Sequence, residues 1–169
     1  MNNPAKPLDK EMIVYFNGQF MAKEAVCISP DDRGFLFADS LYEVIRSYKG
    51  SFFRAKEHLS RLGYGAVHLK LGKTDFSELE EIAGELVLRN RLESEDAIVY
   101  FQVTRGVAKR SHAFPQPAPC PTIYGTVSKF DPGPADKNRE NGIHVITIAD
   151  TRWARCDMKT TALTPNILA

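Results

Sequence analysis

The stretch LYEVIRSY, residues 41–48, decides the fold. As a strand it points Leu41, Glu43, Ile45 and Ser47 to one side and Tyr42, Val44, Arg46 and Tyr48 to the other. Lys49-Gly50 turns it into SFFR, and two helical patterns follow. In the first, Leu59, Leu62, Ala66 and Leu69 recur at helical spacing, against the helix-weakening Gly63, Gly65 and Gly72. In the second, Asp75 and Glu78 resemble a capping box ahead of a stripe of Phe76, Leu79, Ile82, Ala83 and Leu86. AIVYFQVTRG (97–106) and TIYGTVSKF (122–130) read as further strands. On the N-terminal side, Asn17-Gly18 between MIVYF and QFMAKEAV is a strong hairpin signal, because both turn positions need positive φ. SPDDRGFLFADS (29–40) is rich in turn formers. Runs of strands around a helix pair predict an α+β fold with an antiparallel sheet and two helices, not alternating βαβ units.

Composition bounds the function. The 169 residues are 43% hydrophobic and 25% charged, in the globular range, with a net charge of +1. That balance lacks the basic excess of a nucleic-acid binder. No apolar run suits a bilayer span, and the polar N-terminus carries no signal-peptide pattern. Cys27, Cys120 and Cys156 are odd in number and far apart, neither a disulfide framework nor a metal pair. The expectation is a cytoplasmic protein without membrane or nucleic-acid partners. Residues 1–11 read as a loose tail and 12–130 as a small N-terminal domain. DPGPADKNREN, residues 131–141, reads as a linker. Residues 142–169 then begin a second domain, with IHVITIAD (143–150) as its first strand. Thr164-Pro165 has the form of an N-cap with proline at the first helical position, yet only Pro165 to Ala169 remain for that helix. The last segment therefore reads as the start of an element that is cut, and the chain as a truncated one.

TRWARCDMKTT, residues 151–161, gathers Arg152, Arg155 and Lys159 around Cys156 and Asp157. A lysine attacks a carbonyl only when neutral, and nearby cations or desolvation favour that state. The same cluster suits anion binding, and a solvated basic loop is the plainer alternative. A thiolate at Cys156, with His112 or His144 as base, competes with an inert cysteine. TRGVAKRSHAF (104–114) offers Arg105, Lys109, Arg110 and His112 for a carboxylate or phosphate, or makes an ordinary charged loop. In a strand-like stretch Arg110 and His112 would project to one side. Tyr42 could serve a site or simply pack, and Arg61 is by default a surface arginine. No Gly-rich phosphate loop is present, and the four histidines are too scattered for a metal site.

Four collinear motifs carry a resemblance: DRGFLFADSLYEVIR, EHLSRL, YFQVTRGVAKRSHAFP and RWARCDMKTTALTPNILA. Together they resemble the fold-type IV, or class IV, pyridoxal-phosphate enzymes. That family holds branched-chain and D-amino-acid aminotransferases and aminodeoxychorismate lyases. Arg110-Ser111-His112 after VTRG draws the sequence toward the D-amino-acid branch.

The resemblance implies a role for each matching residue. Lys159 is similar to the catalytic lysine that holds pyridoxal 5'-phosphate covalently and shuttles the substrate proton. Arg61 resembles the arginine on the cofactor phosphate, and Arg152 one lying near the cofactor. Tyr42, Arg110 and His112 resemble the trio on the substrate α-carboxylate, with the arginine and histidine coming from the other subunit of a homodimer. The implied reaction moves an amino group from an amino acid, such as D-alanine, to a 2-oxo acid such as 2-oxoglutarate. Lyase or branched-chain transaminase chemistry are the alternatives. Family members are much longer, and their later domain carries the carboxylate on the pyridine nitrogen and further phosphate-binding loops. A chain ending ten residues after Lys159 is thus expected to be a non-catalytic N-terminal fragment without bound cofactor. Ala38, where glycine is common, and Thr160-Thr161 are smaller departures.

Overall fold

The computed structural model describes residues 12–150 and 152–168; the tail expected over 1–11 lies outside them. β1 (Ile13–Phe16) and β2 (Gln19–Ala22) form the hairpin that Asn17-Gly18 predicts, with φ of 47° and 92° at the two turn residues. A 3-10 turn (Lys23–Ala25) and the short helix α1 (Arg33–Phe37) lead into β3 (Ser40–Tyr48). β4 (Ser51–Phe52) folds back on β3, and α2 (Ala55–His68) and α3 (Leu79–Arg89) follow. β5 (Asp96–Thr104) and β6 (Ile123–Lys129) complete a six-stranded antiparallel sheet in the order β2-β1-β6-β5-β3-β4. The α+β expectation holds.

Strand alternation sorts the residues. Leu41, Glu43, Ile45 and Ser47 are all buried, while Tyr42, Val44 and Arg46 are half-buried on the opposite face. Leu41 and Ile45 meet Leu59, Leu62 and Ala66 of α2, and Phe76, Leu79, Ala83 and Leu86 of the α3 region, in one core. Each fully buried Leu or Phe side chain contributes about 1.5–3 kcal/mol. The glycines of α2 have a packing reason. A Cβ on Gly65 would lie 2.9 Å from Leu41 Cδ2, and one on Gly63 2.8 Å from the Thr74 carbonyl oxygen.

Three local expectations change. The α3 helix begins at Leu79, not at an Asp75 cap. Asp75 instead accepts from the Ser77 amide, and Glu78 pairs with Lys73, so both caps are engaged in the preceding turn. The stretch read as a linker is helical over Gly133–Asn141 (α4), with no buried residue. Pro132 and Pro134 precede the point where missing N–H groups would break a helix ladder, so the prolines tolerate it. The first strand expected at 143–150 does not form. Ile143, Val145, Ile146 and Ile148 are 68%, 77%, 83% and 51% exposed. Among the described residues no neighbouring strand pairs with this stretch, and a strand needs a partner for its backbone groups. A last short helix, α5 (Thr164–Leu168), follows Lys159.

The two helix glycines Gly65 and Gly84 should respond oppositely to alanine. A Cβ on Gly84 meets nothing within 4 Å. Gly84→Ala is expected to raise unfolding stability by up to about 1 kcal/mol through helix propensity. Gly65→Ala, which must displace Leu41, is expected to lower it by about 1–3 kcal/mol. Urea unfolding of the two variants checks both signs.

Candidate active site

The exposed edge of β3 near its start receives the lysine segment. The Tyr42 amide donates to the Lys159 carbonyl at 3.0 Å, and the Thr161 amide to the Ser40 carbonyl at 3.2 Å. Leu41 and Thr160 form an antiparallel bridge, and the Ser40 and Thr161 hydroxyls share a hydrogen bond. Met158, 6% exposed, plugs the segment into the core. Tyr64 of α2 donates to Asp157 at 3.1 Å. These ties fix the backbone on both sides of Lys159. They leave its Nζ 3.9 Å from the centre of the Tyr42 ring, a cation–π distance.

Tyr42, Arg61, Arg152 and Lys159, four of the six residues singled out in the sequence, line one cavity of about 350 Å³. Trp153, Cys156 and Asn166 share its wall. A neighbouring cavity of about 580 Å³ touches Thr161 and Asp32. Asp32 there accepts from Gly34 N, Thr104 Oγ1 and Thr122 Oγ1, whereas Lys159 lines the smaller cavity.

Arg61 is not a free surface arginine. Its Nε and Nη2 donate to Glu43 at 2.6 and 2.7 Å. His58 Nδ1 lies 2.8 Å from the same carboxylate. Glu43 is completely buried, so this pair both neutralises the acid and sets the guanidinium plane. The hydrogen bond to Glu43 raises the Arg61 pKa further above its ordinary value. Nη1 of Arg61 makes no hydrogen bond among the described residues, and one edge stays available to an anion.

The two arginines of the lysine segment are paired locally. Arg152 forks onto Asp150 and Arg155 onto Asp157. These hydrogen bonds hold both carboxyls down at about 2. The uncompensated cationic field that the sequence suggested around Lys159 is therefore reduced by two carboxylates. Cys156 donates to the Trp153 carbonyl at 3.1 Å, and among the described residues no hydrogen bond joins it to a histidine.

Arg110 and His112 stand elsewhere, exposed on the loop after β5 and packed about the Phe37 ring at 5.5 and 5.8 Å. One chain does not bring them to Tyr42 or Lys159. Arg105 leaves the anion-binding group altogether: it is 2% exposed and forks onto Asp39. Sequence reasoning missed Glu43 and Asp39. Glu43 carried a signal, an acid on the same strand face as Leu41 and Ile45. Asp39 carried none.

A cofactor with an aldehyde and a phosphate requires an amine, a phosphate-facing cation and room. Lys159, the free edge of Arg61 and the cavity between them supply these, so the donor set fits pyridoxal phosphate. Ala38, the left-handed C-cap of α1, lines the neighbouring cavity with φ of 52°, a conformation glycine adopts at lower cost.

Comparison with known proteins bears on the family and the fold. The family profile for amino-transferase class IV matches residues 40–169. A D-alanine aminotransferase of Staphylococcus aureus (strain MSSA476) is 38% identical over 157 residues, covering 92% of this chain and 54% of that protein. The D-alanine aminotransferase of Staphylococcus haemolyticus is 40% identical over 158 residues, with the same coverage. The chain thus spans about half the length of the curated relatives it matches. Among solved structures, a hypothetical aminotransferase from Mycobacterium tuberculosis in its PLP-bound form superposes with a TM-score of 0.72 at 20% identity, over 92% of this chain and 56% of that one. The branched-chain amino acid aminotransferase from Escherichia coli gives 0.64 at 19% identity, over 72% and 42%. With the profile running from β3 to the last residue, the chain belongs to the class IV aminotransferases.

Proposed function

We propose that this chain supplies the lysine half of a pyridoxal-phosphate site, and that the complete enzyme moves the amino group of a D-amino acid, D-alanine being the simplest, to a 2-oxo acid such as 2-oxoglutarate. One observation carries the reading: Lys159 Nζ sits over Tyr42 in the cavity that also contains Arg61. The likeness to D-alanine aminotransferases favours the D-amino-acid branch over the branched-chain one. We place the enzyme in the cytoplasm. Among the described residues no helix is long and apolar enough to cross a membrane.

Each residue has a definable task. The cofactor, when bound, supplies the electron sink that makes the substrate α-proton acidic. Lys159 Nζ anchors the cofactor, then accepts the proton from the donor's α-carbon and delivers one to that of the acceptor. Arg61 Nη1 binds the phosphate, with Glu43 fixing its plane. Arg152 lies at the cavity wall as a second cation. Tyr42 offers its hydroxyl to the substrate carboxylate. Arg110 and His112, which lie outside this cavity, reach the same carboxylate in a second copy of the chain, making a homodimer the working unit. A clamp of that kind selects which face of the α-carbon meets Lys159, and hence the D enantiomer. Residues 131–141 join the sheet domain to the remaining cofactor domain.

The full polypeptide encoded by the gene, given pyridoxal phosphate, is expected to form pyruvate from D-alanine and 2-oxoglutarate, with no turnover of L-leucine. The 169-residue chain is expected to run no faster than free cofactor. Preference for L-leucine would replace this reading with the branched-chain one. Arg61→Lys keeps the charge near Glu43 but loses the planar fork. It is expected to cut the affinity advantage of pyridoxal phosphate over pyridoxal by about tenfold, followed by absorbance titration. For the dimer, mixing inactive Lys159→Ala with inactive Arg110→Ala subunits is expected to restore activity, since one of the two sites in the mixed dimer is intact. Absence of restoration would place Arg110 in its own subunit's site or outside any site.

A further inference from the structure

The loop from Val107 to Pro121 has no helix or strand; an isolated bridge of Val107 to Asp32 and a bond from the Ala108 amide to the Asp31 carbonyl tie its start, and three further contacts hold the part that bears Arg110 and His112. Arg33 Nη1 donates to the Ser111 carbonyl at 2.6 Å, between the two residues. The Phe37 ring stands 4.8 Å from the Arg33 guanidinium carbon, 5.5 Å from that of Arg110 and 5.8 Å from the His112 ring centre. Farther along, Arg105 stacks on Phe114 at 4.0 Å.

Both arginines share one acid. Arg105 Nε and Nη2 fork onto Asp39 at 2.6 and 2.9 Å, and Arg33 Nε adds a bond at 2.9 Å. The side chains of Arg33, Arg105 and Asp39 are 4%, 3% and 9% exposed. The bidentate Arg105 pair already compensates Asp39. Arg33 is a second buried cation, and burial of a charge is costly unless its donors are used. Of the donors left after Asp39, Nη1 is spent on the Ser111 carbonyl. Arg105, in contrast, spends its remaining donors on the Leu69 and Lys70 carbonyls at the end of α2.

We infer that Arg33 is a positioning residue: anchored by Asp39, it holds the Ser111 carbonyl over Phe37 and so fixes the direction in which Arg110 and His112 are presented. The inference deepens the carboxylate role proposed above for those two residues and rests on it. A loop so held meets a substrate carboxylate without first losing its own freedom, which favours tight and oriented binding.

The test is Arg33→Lys, which keeps a charge beside Asp39 but cannot bond Asp39 and Ser111 together as a fork. In ¹⁵N relaxation of the 169-residue chain, order parameters at residues 109–113 are expected to fall from about 0.85 to below about 0.6, while β3 and β5 stay rigid. In the full enzyme the same variant should raise the KM for D-alanine more than it lowers kcat. Unchanged order parameters in the loop, or loosening of β3 and β5 to the same degree, would overturn the inference. Should Arg33→Lys fail to fold, Phe37→Leu serves instead. It removes the ring beneath the loop and is expected to lower the same order parameters, and no change would overturn the proposal. Arg110→Ala separates the two layers. If its KM for D-alanine equals that of the unaltered enzyme while Arg33→Lys still loosens the loop, the carboxylate reading fails and the positioning role of Arg33 stands.

Discussion

The hydrogen bond from the Tyr42 amide to the Lys159 carbonyl is the contact on which the site depends. It joins a strand that the core holds rigid to a segment that has almost no core of its own. Strand β3 is pinned on one side along its whole length by β5, and on its buried face by α2. Its other edge near Ser40–Tyr42 is open, and the lysine segment takes the unpaired backbone groups there. Because successive strand residues face opposite ways, Leu41 can anchor the helices while Tyr42 faces the lysine amine.

The same strand carries the electrostatics. Glu43 enters the core with Leu41 and Ile45, and only the bonds from Arg61 and His58 make that burial tolerable. The constraint works in both directions. An arginine tied to a buried acid has lost most of its rotamer freedom, so the edge it keeps for an anion is already oriented. Asp39, one residue before β3, repeats the arrangement with Arg33 and Arg105, and there the fixed object is a loop. The buried Glu43 and the largely buried Asp39 therefore bracket the start of β3, one holding Arg61 and one facing the loop after β5.

Much of this was legible in the residues. Period-two alternation in LYEVIRSY sorted the two faces of β3, and Asn17-Gly18 marked the hairpin. Apolar spacing found α2 and α3, α2 despite Gly63 and Gly65, whose places are set by close approach of Thr74 and Leu41. The family motifs named Tyr42, Arg61, Arg152 and Lys159, and the fold gathers all four. What escaped was pairing across long sequence separations. Arg105 looked like its neighbours Lys109 and Arg110, but its partner Asp39 is distant in sequence, so nothing local marked it as buried. The isoleucines of 143–150 looked like a strand because composition reports a preference, whereas a strand also needs a neighbour, and none of the described residues provides one. Proline and charge in 131–141 marked a linker without showing that the stretch would be a short solvent-exposed helix.

The most direct measurement is the intact mass of the full polypeptide encoded by the gene after incubation with pyridoxal phosphate and reduction with borohydride, followed by peptide mapping. Geometry that seats Lys159 over Tyr42, within reach of Arg61, predicts one adduct, carried by Lys159 and lost in Lys159→Ala. Labelling spread evenly over the surface lysines, or concentrated on a lysine outside this cavity, would contradict the assignment of Lys159 as the residue that holds the cofactor.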